Sequence, residues 1–208
     1  MVRGGTRGIT PRRPTGEFFS VTVRWEYVTI PAHAQRRFVC VSDREEYAEL
    51  AHERGATSAW FFPALKGIDA SDPAAFDLQR FTVNGEERSI RRTSRKGSQT
   101  YSVSMPAETL RADQPVTVAY TYKALMAATG NHLFFDIELP TRDLRVDFDY
   151  SGCNLAKVNV LDLVPSIRPS RIETPIQGSG SETIRLDMGG WVFPRSGVAF
   201  VWPSGGST

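Results

Sequence analysis

"FSVTVRWEY", residues 19–27, decides the fold class. Phe19, Val21, Val23, Trp25 and Tyr27 alternate with Ser20, Thr22, Arg24 and Glu26, the period of a strand with one face buried and the other in water. Working outward, "RRFVCVS", "TSAWFFP", "QTYSVSM", "PVTVAYTYK", "HLFFDIEL", "LRVDFDYS", "KVNVLDLV", "ETIRLDM", "GWVF" and "GVAFVW" are further extended segments, separated by short Gly- and Pro-containing turns. Strands at this spacing predict a mainly β protein, an antiparallel β-sandwich or a barrel-like arrangement.

Three local signals punctuate the strands. Ser42 with Glu45 three residues on is a capping box, and Gly55 stands where a helix ends, so a helix is expected near 43–54. In "SDPAAFDL", Ser71 as N-cap and Pro73 in the first turn predict a short helical turn near 72–77. Asn84-Gly85 supplies the two positive-φ residues of a type I′ hairpin turn.

Residues 1–16 read as a flexible basic arm rich in Gly and Pro, 17–203 as a single β-rich domain and 204–208 as a flexible tail. A chain of 208 residues can bury a core without disulfides or metal. "TVRWEY" at 22–27 and "TVAYTY" at 117–122 echo one another and suggest two related β-units, 17–110 and 111–203. Thr, Val, Tyr and Trp are also simply what half-buried strands use.

The net charge of +2 gives no strong pull toward nucleic acid or anionic membrane. The arm lacks the apolar region of a secretory signal, and no apolar run approaches the ~20 residues that span a bilayer. Cys40 and Cys153 occupy unrelated contexts, so the expectation is a cytoplasmic protein with reduced thiols and no membrane association.

Against this mild background "RSIRRTSRK", residues 88–96, holds five cations and no carboxylate. A two-residue loop at Asn84-Gly85 would pair Val83 with Glu86, Phe81 with Arg88 and Gln79 with Ile90. Arg88 and Arg92 would then share a face with Phe81, while Arg91 and Arg95 point to the other. Cations on both faces place the segment at a sheet edge or beyond the core. One reading is edge protection, in which charge keeps open backbone groups from pairing with another molecule. The other is anion recognition by Arg88, Arg91, Arg92, Arg95 and Lys96, since guanidinium groups fork onto carboxylate or phosphate.

The arm's "RGGTRG" and nearby Tyr101 would suit nucleic acid, but no RRM, KH, helix-turn-helix or zinc signature accompanies them. A small anionic ligand or a partner protein fits a compact patch better. The expectation is a non-enzymatic binding or regulatory module.

An enzymatic alternative rests on Asp136, Glu138, Asp147 and Asp149. They alternate with apolar residues on two successive strands and, paired as a hairpin, could gather as a metal-dependent hydrolase site. Simple alternation on two amphipathic strands explains the same acids. A third reading is a structural subunit that assembles by strand addition.

No cofactor is implied. "QGSGSE" leads into a strand rather than a helix, and His33, His52 and His132 lack metal-ligand spacing from one another or from the cysteines. Cys40 reads as a buried thiol, Cys153 as a turn residue, and Trp191, Phe193, Phe200 and Trp202 as core.

Overall fold

The computed structural model describes residues 18–50, 57–65, 67–112, 114–127, 130–137, 140–151, 153, 155, 157–163, 170–175, 182–194 and 196–203. In chain order the elements are β1 (Phe18–Thr29), β2 (Gln35–Val41), α1 (Arg44–Leu50), β3 (Thr57–Phe61), β4 (Phe76–Val83), β5 (Glu86–Glu87), β6 (Ile90–Arg95) and β7 (Ser98–Ser104). There follow α2 (Ala107–Ala112), β8 (Val116–Ala127), β9 (His132–Asp136), β10 (Thr141–Asp149), β11 (Asn159–Asp162), β12 (Arg171–Glu173), β13 (Thr183–Val192) and β14 (Gly197–Val201).

The protein is mostly β, with a seven-stranded sheet in the order β12-β13-β10-β1-β8-β4-β5. Two smaller sheets, β3-β2-β7-β6 and β11-β14-β9, pack on one face of it as the second layer of a sandwich. Aromatic contacts between layers fix that placement. Phe38 of β2 meets Tyr120 of β8 at 4.9 Å, and Phe200 of β14 stacks on Phe148 of β10 at 4.2 Å. Strand pairs are antiparallel except β2 with β3, where the connection through α1 supplies the crossover that parallel strands need.

"TVRWEY" and "TVAYTY" lie side by side as antiparallel neighbours, with Trp25 paired to Tyr120. Each is flanked on its far side by a strand from the other half of the chain, β10 beside β1 and β4 beside β8. One hydrophobic cluster runs through both halves, from Val21 and Phe38 to Phe148 and Phe200.

Local physics departs from expectation at several points. α1 is capped by Asp43, whose Oδ1 accepts the Glu46 N–H at 2.8 Å. Ser42 instead donates to the Phe62 carbonyl and accepts from Ala70 N–H, stitching two loops together. The remainder of the predicted 43–54 helix, with Gly55, lies outside the described residues. No helix forms at 72–77: Asp72 makes a turn by accepting Ala74 N–H on its side chain and Ala75 N–H on its carbonyl, and β4 begins at Phe76.

The Asn84-Gly85 turn has φ of 52° and 83°, as a type I′ turn requires. "ETIRLDM" and "GWVF" are one strand, β13, carried through a bulge where Gly190 (φ 90°) donates to Asp143 Oδ1. Phe200 and Trp202 are core, but Trp191 and Phe193 are more than half exposed. No helix among the described residues is long and apolar enough to cross a membrane.

Candidate functional site

The chain leaves the seven-stranded sheet after Arg88, whose N–H bonds to the Phe81 carbonyl at 2.9 Å. The expected Gln79–Ile90 pair does not form, because Ile90 crosses to the second layer and pairs with Val103. β6 is the outermost strand of the four-stranded sheet, the edge position that its charge pattern implied. The five cations of the stretch part company there. Arg92 shares the inner face with half-buried Ile90, donates to Gln99 Oε1 at 2.9 Å and to the Ser71 carbonyl at 2.7 Å, and lies over the Tyr101 ring. Gln99 in turn donates to the Asp72 carbonyl, and the Tyr101 hydroxyl donates to the Phe76 carbonyl. Burial pushes the Tyr101 hydroxyl up to about 12.

Arg91 and Arg95 project from the outer face of the same sheet. Arg95 pairs with Glu46 of α1. Exposed Arg91 and half-buried Arg88 have no side-chain partner among the described residues. Lys96 sits in the following turn, where it and the Ser71 hydrogen bonds hold the Asp69 carboxyl below its usual range, the Ser71 side-chain bond being the largest cause.

Of the four acids, the three that are described do not converge: Asp136 lies apart from Asp147 and Asp149. β9 and β10 belong to different sheets, so the hairpin that would gather Asp136 with Asp147 and Asp149 is absent. Glu138 lies outside the described residues. Asp147 stands between Arg24 of β1 and Arg185 of β13, with Arg185 Nε at 3.7 Å, while Asp149 accepts the Ser151 N–H. The adjoining row alternates likewise: Glu26, Arg145 and Asp187, with Arg145 Nε 3.2 Å from Asp187. Like charges directly opposite would repel, and the cross-strand register interleaves them with arginines. No group of three or more potential metal ligands occurs among the described residues.

Asp136 belongs elsewhere, in the wall of a cavity of about 340 Å³ at the seam where the two second-layer sheets meet. Its floor is the large sheet: Trp25 and Tyr27 of β1, Tyr120 of β8 and Leu144 of β10. Its walls are Thr57–Phe61 of β3 and Leu133–Ile137 around β9, five consecutive residues on each side. Successive strand residues point to opposite faces, so a wall lined by every residue in turn is a strand edge. β3 and β9 are the edge strands of their sheets, and the cavity therefore lies between two backbone edges above an aromatic floor.

The cavity is divided along its length. Trp60 packs on Tyr122, which pairs with Val23, and the apolar residues Leu125, Met126 and Leu133 lie toward that end and beyond. Arg36, Thr57 and Thr141 lie at the Tyr27 end. Arg36 is held there by the Ser58 hydroxyl at 3.0 Å and by the Phe38 ring beneath its guanidinium. The Trp25 indole N–H and the Tyr122 hydroxyl are both buried and near one another, short of hydrogen-bonding geometry.

Of the lining residues, sequence reasoning singled out Asp136 alone, as part of a carboxylate cluster. The signal available was Arg36 itself, which shares strand parity with Phe38 and Cys40 and so places a guanidinium on a core-facing position. No protein-family model matches the chain, and neither the curated proteins nor the solved structures yield a match.

Proposed function

We propose that the protein is a binding module that holds a small molecule with a flat apolar body and an acidic group in the seam cavity. The observation that supports this reading is the division of the cavity above its aromatic floor, aliphatic toward Leu125, Met126 and Leu133, with the positioned Arg36 guanidinium at the Tyr27 end and Asp136 in the β9 wall. Sites for small ligands are concave, largely apolar and furnished with a few placed polar groups. Trp25, Tyr120 and Trp60 line the cavity with aromatic surface suited to a planar ligand, and a guanidinium forks onto a carboxylate or phosphate. Among the described strands β3 and β9 end their sheets, so their backbones border the walls.

The test is native mass spectrometry of protein purified at low salt, followed by thermal unfolding against a panel of aromatic carboxylates and phosphates. A discrete extra mass, or a melting shift that Arg36→Met abolishes while the fold is kept, is the expected result. A bare protein that no member of the panel stabilises would overturn the reading.

A further inference from the structure

We propose that the open edge of β6 receives an acidic, extended segment of a partner protein, which joins the four-stranded sheet as a fifth strand. β6 pairs only with β7 among the described strands, and five of its six residues are exposed. Its free side therefore presents a ladder of backbone groups on the surface of the molecule. Strand addition uses such an edge for affinity and alternate side chains for selectivity.

The charge on this edge specifies the partner. Arg91, Thr93 and Arg95 share the outer face, and across β7 the row through Arg91 continues to Ser102 and then Arg37. An added strand would set every second side chain beside this outer row, where Arg91 has no side-chain partner among the described residues and lies within the range at which opposite charges attract across strands, while Arg95 already pairs with Glu46. Acidic residues at alternate positions satisfy that register. A second copy of β6 would instead set arginine against arginine, which argues against self-pairing. Duplex nucleic acid is also a poor fit, because Glu46 and the exposed Glu86 and Glu87 on neighbouring elements break the basic surface.

The experiment is fluorescence anisotropy with a labelled alternating Glu-Val peptide of about eight residues. Two N-methylated versions, one blocking the backbone N–H groups of each parity, separate strand pairing from simple charge attraction. Saturable binding is expected, weakened about tenfold or more by Arg91→Glu and by one N-methylated parity but not by the other. Circular dichroism of the Arg91→Glu protein should be unchanged, since Arg91 is exposed and has no side-chain partner among the described residues. Equal binding of both N-methylated peptides, tighter binding of a single-stranded oligonucleotide, or no binding at about 1 mM peptide would overturn the proposal. The last result would leave the arginines as protection of the edge. This site is separate from the seam cavity, so Arg36→Met should not affect it.

Discussion

Trp60 and Phe135 belong to different sheets, yet their rings lie 6.2 Å apart across the seam of the second layer. Phe135 also makes T-shaped contacts with Trp25 at 5.2 Å and with Phe200 at 5.6 Å, so one side chain touches all three sheets. That makes Phe135 the keystone of the sandwich and a wall of the cavity at once. Phe135→Ala should cost about 3–5 kcal/mol, the range for a buried phenylalanine. Its neighbour Phe134, 48% exposed on the opposite face of the strand, should cost less than about 1 kcal/mol on the same change. Urea denaturation of the two variants checks the contrast.

Arg91 and Arg92 are adjacent in sequence and separate in role. Arg92 closes a network with Gln99, Tyr101 and the carbonyls of the 71–76 turn, whereas Arg91 projects into solvent. Arg92→Ala should destabilise by about 1–3 kcal/mol, as loss of charge-assisted hydrogen bonds does. Arg91→Ala should stay within about 0.5 kcal/mol. Equal effects would show that the network does not carry the turn.

These cases mark where the sequence was legible. The alternation from Phe19 to Tyr27, the Asn84-Gly85 turn and the edge position of the arginines were readable because each is a local consequence of backbone geometry or solvation. Pairing was not. β9 and β10 are consecutive in sequence and amphipathic, but nothing in their pattern says that Phe135 belongs over Trp25 while Phe148 lies in the opposite sheet. The capping of α1 was misassigned for a related reason: Ser42 and Asp43 are both good caps, and only the tertiary bonds of Ser42 to Phe62 and Ala70 decide between them. A cavity assembled from six strands leaves no single contiguous trace, and Arg36 on a core-facing position was the hint of it.

Gly197 is a point where backbone packing admits no side chain. A Cβ there would overlap the Phe134 ring and stand 2.6 Å from the Phe135 carbonyl oxygen. The ring can swing away, since Phe134 is exposed, but the carbonyl belongs to the β9–β14 ladder. Gly197→Ala should therefore cost about 1–3 kcal/mol, the usual penalty of overpacking. Gly189→Ala, with nothing within 4 Å of its Cβ, is the control and should be milder. Thermal melts of the two proteins make the comparison.

Stability should fall at high pH, and the groups responsible can be named. Burial raises the Cys40 thiol from its ordinary 9.0 to about 12, and burial also raises the Tyr101 hydroxyl from 10.0 to about 12. Tyr122 is raised well above its ordinary value by the same cause. A group raised in the folded state favours folding fully below its unfolded value and loses that contribution as pH climbs toward the folded one. The window for Cys40 runs from about 9 to about 12, and for Tyr101 from about 10 to about 12. Denaturation midpoints measured between neutral and strongly alkaline pH should hold steady and then drop through that range. In the same protein Cys40 should resist alkylation at neutral pH until the chain unfolds, because a buried thiol is neither ionised nor accessible. Rapid native-state alkylation of Cys40, or an unfolding midpoint indifferent to alkali, would mean that these side chains are less enclosed than the packing around Phe38 and Phe76 requires.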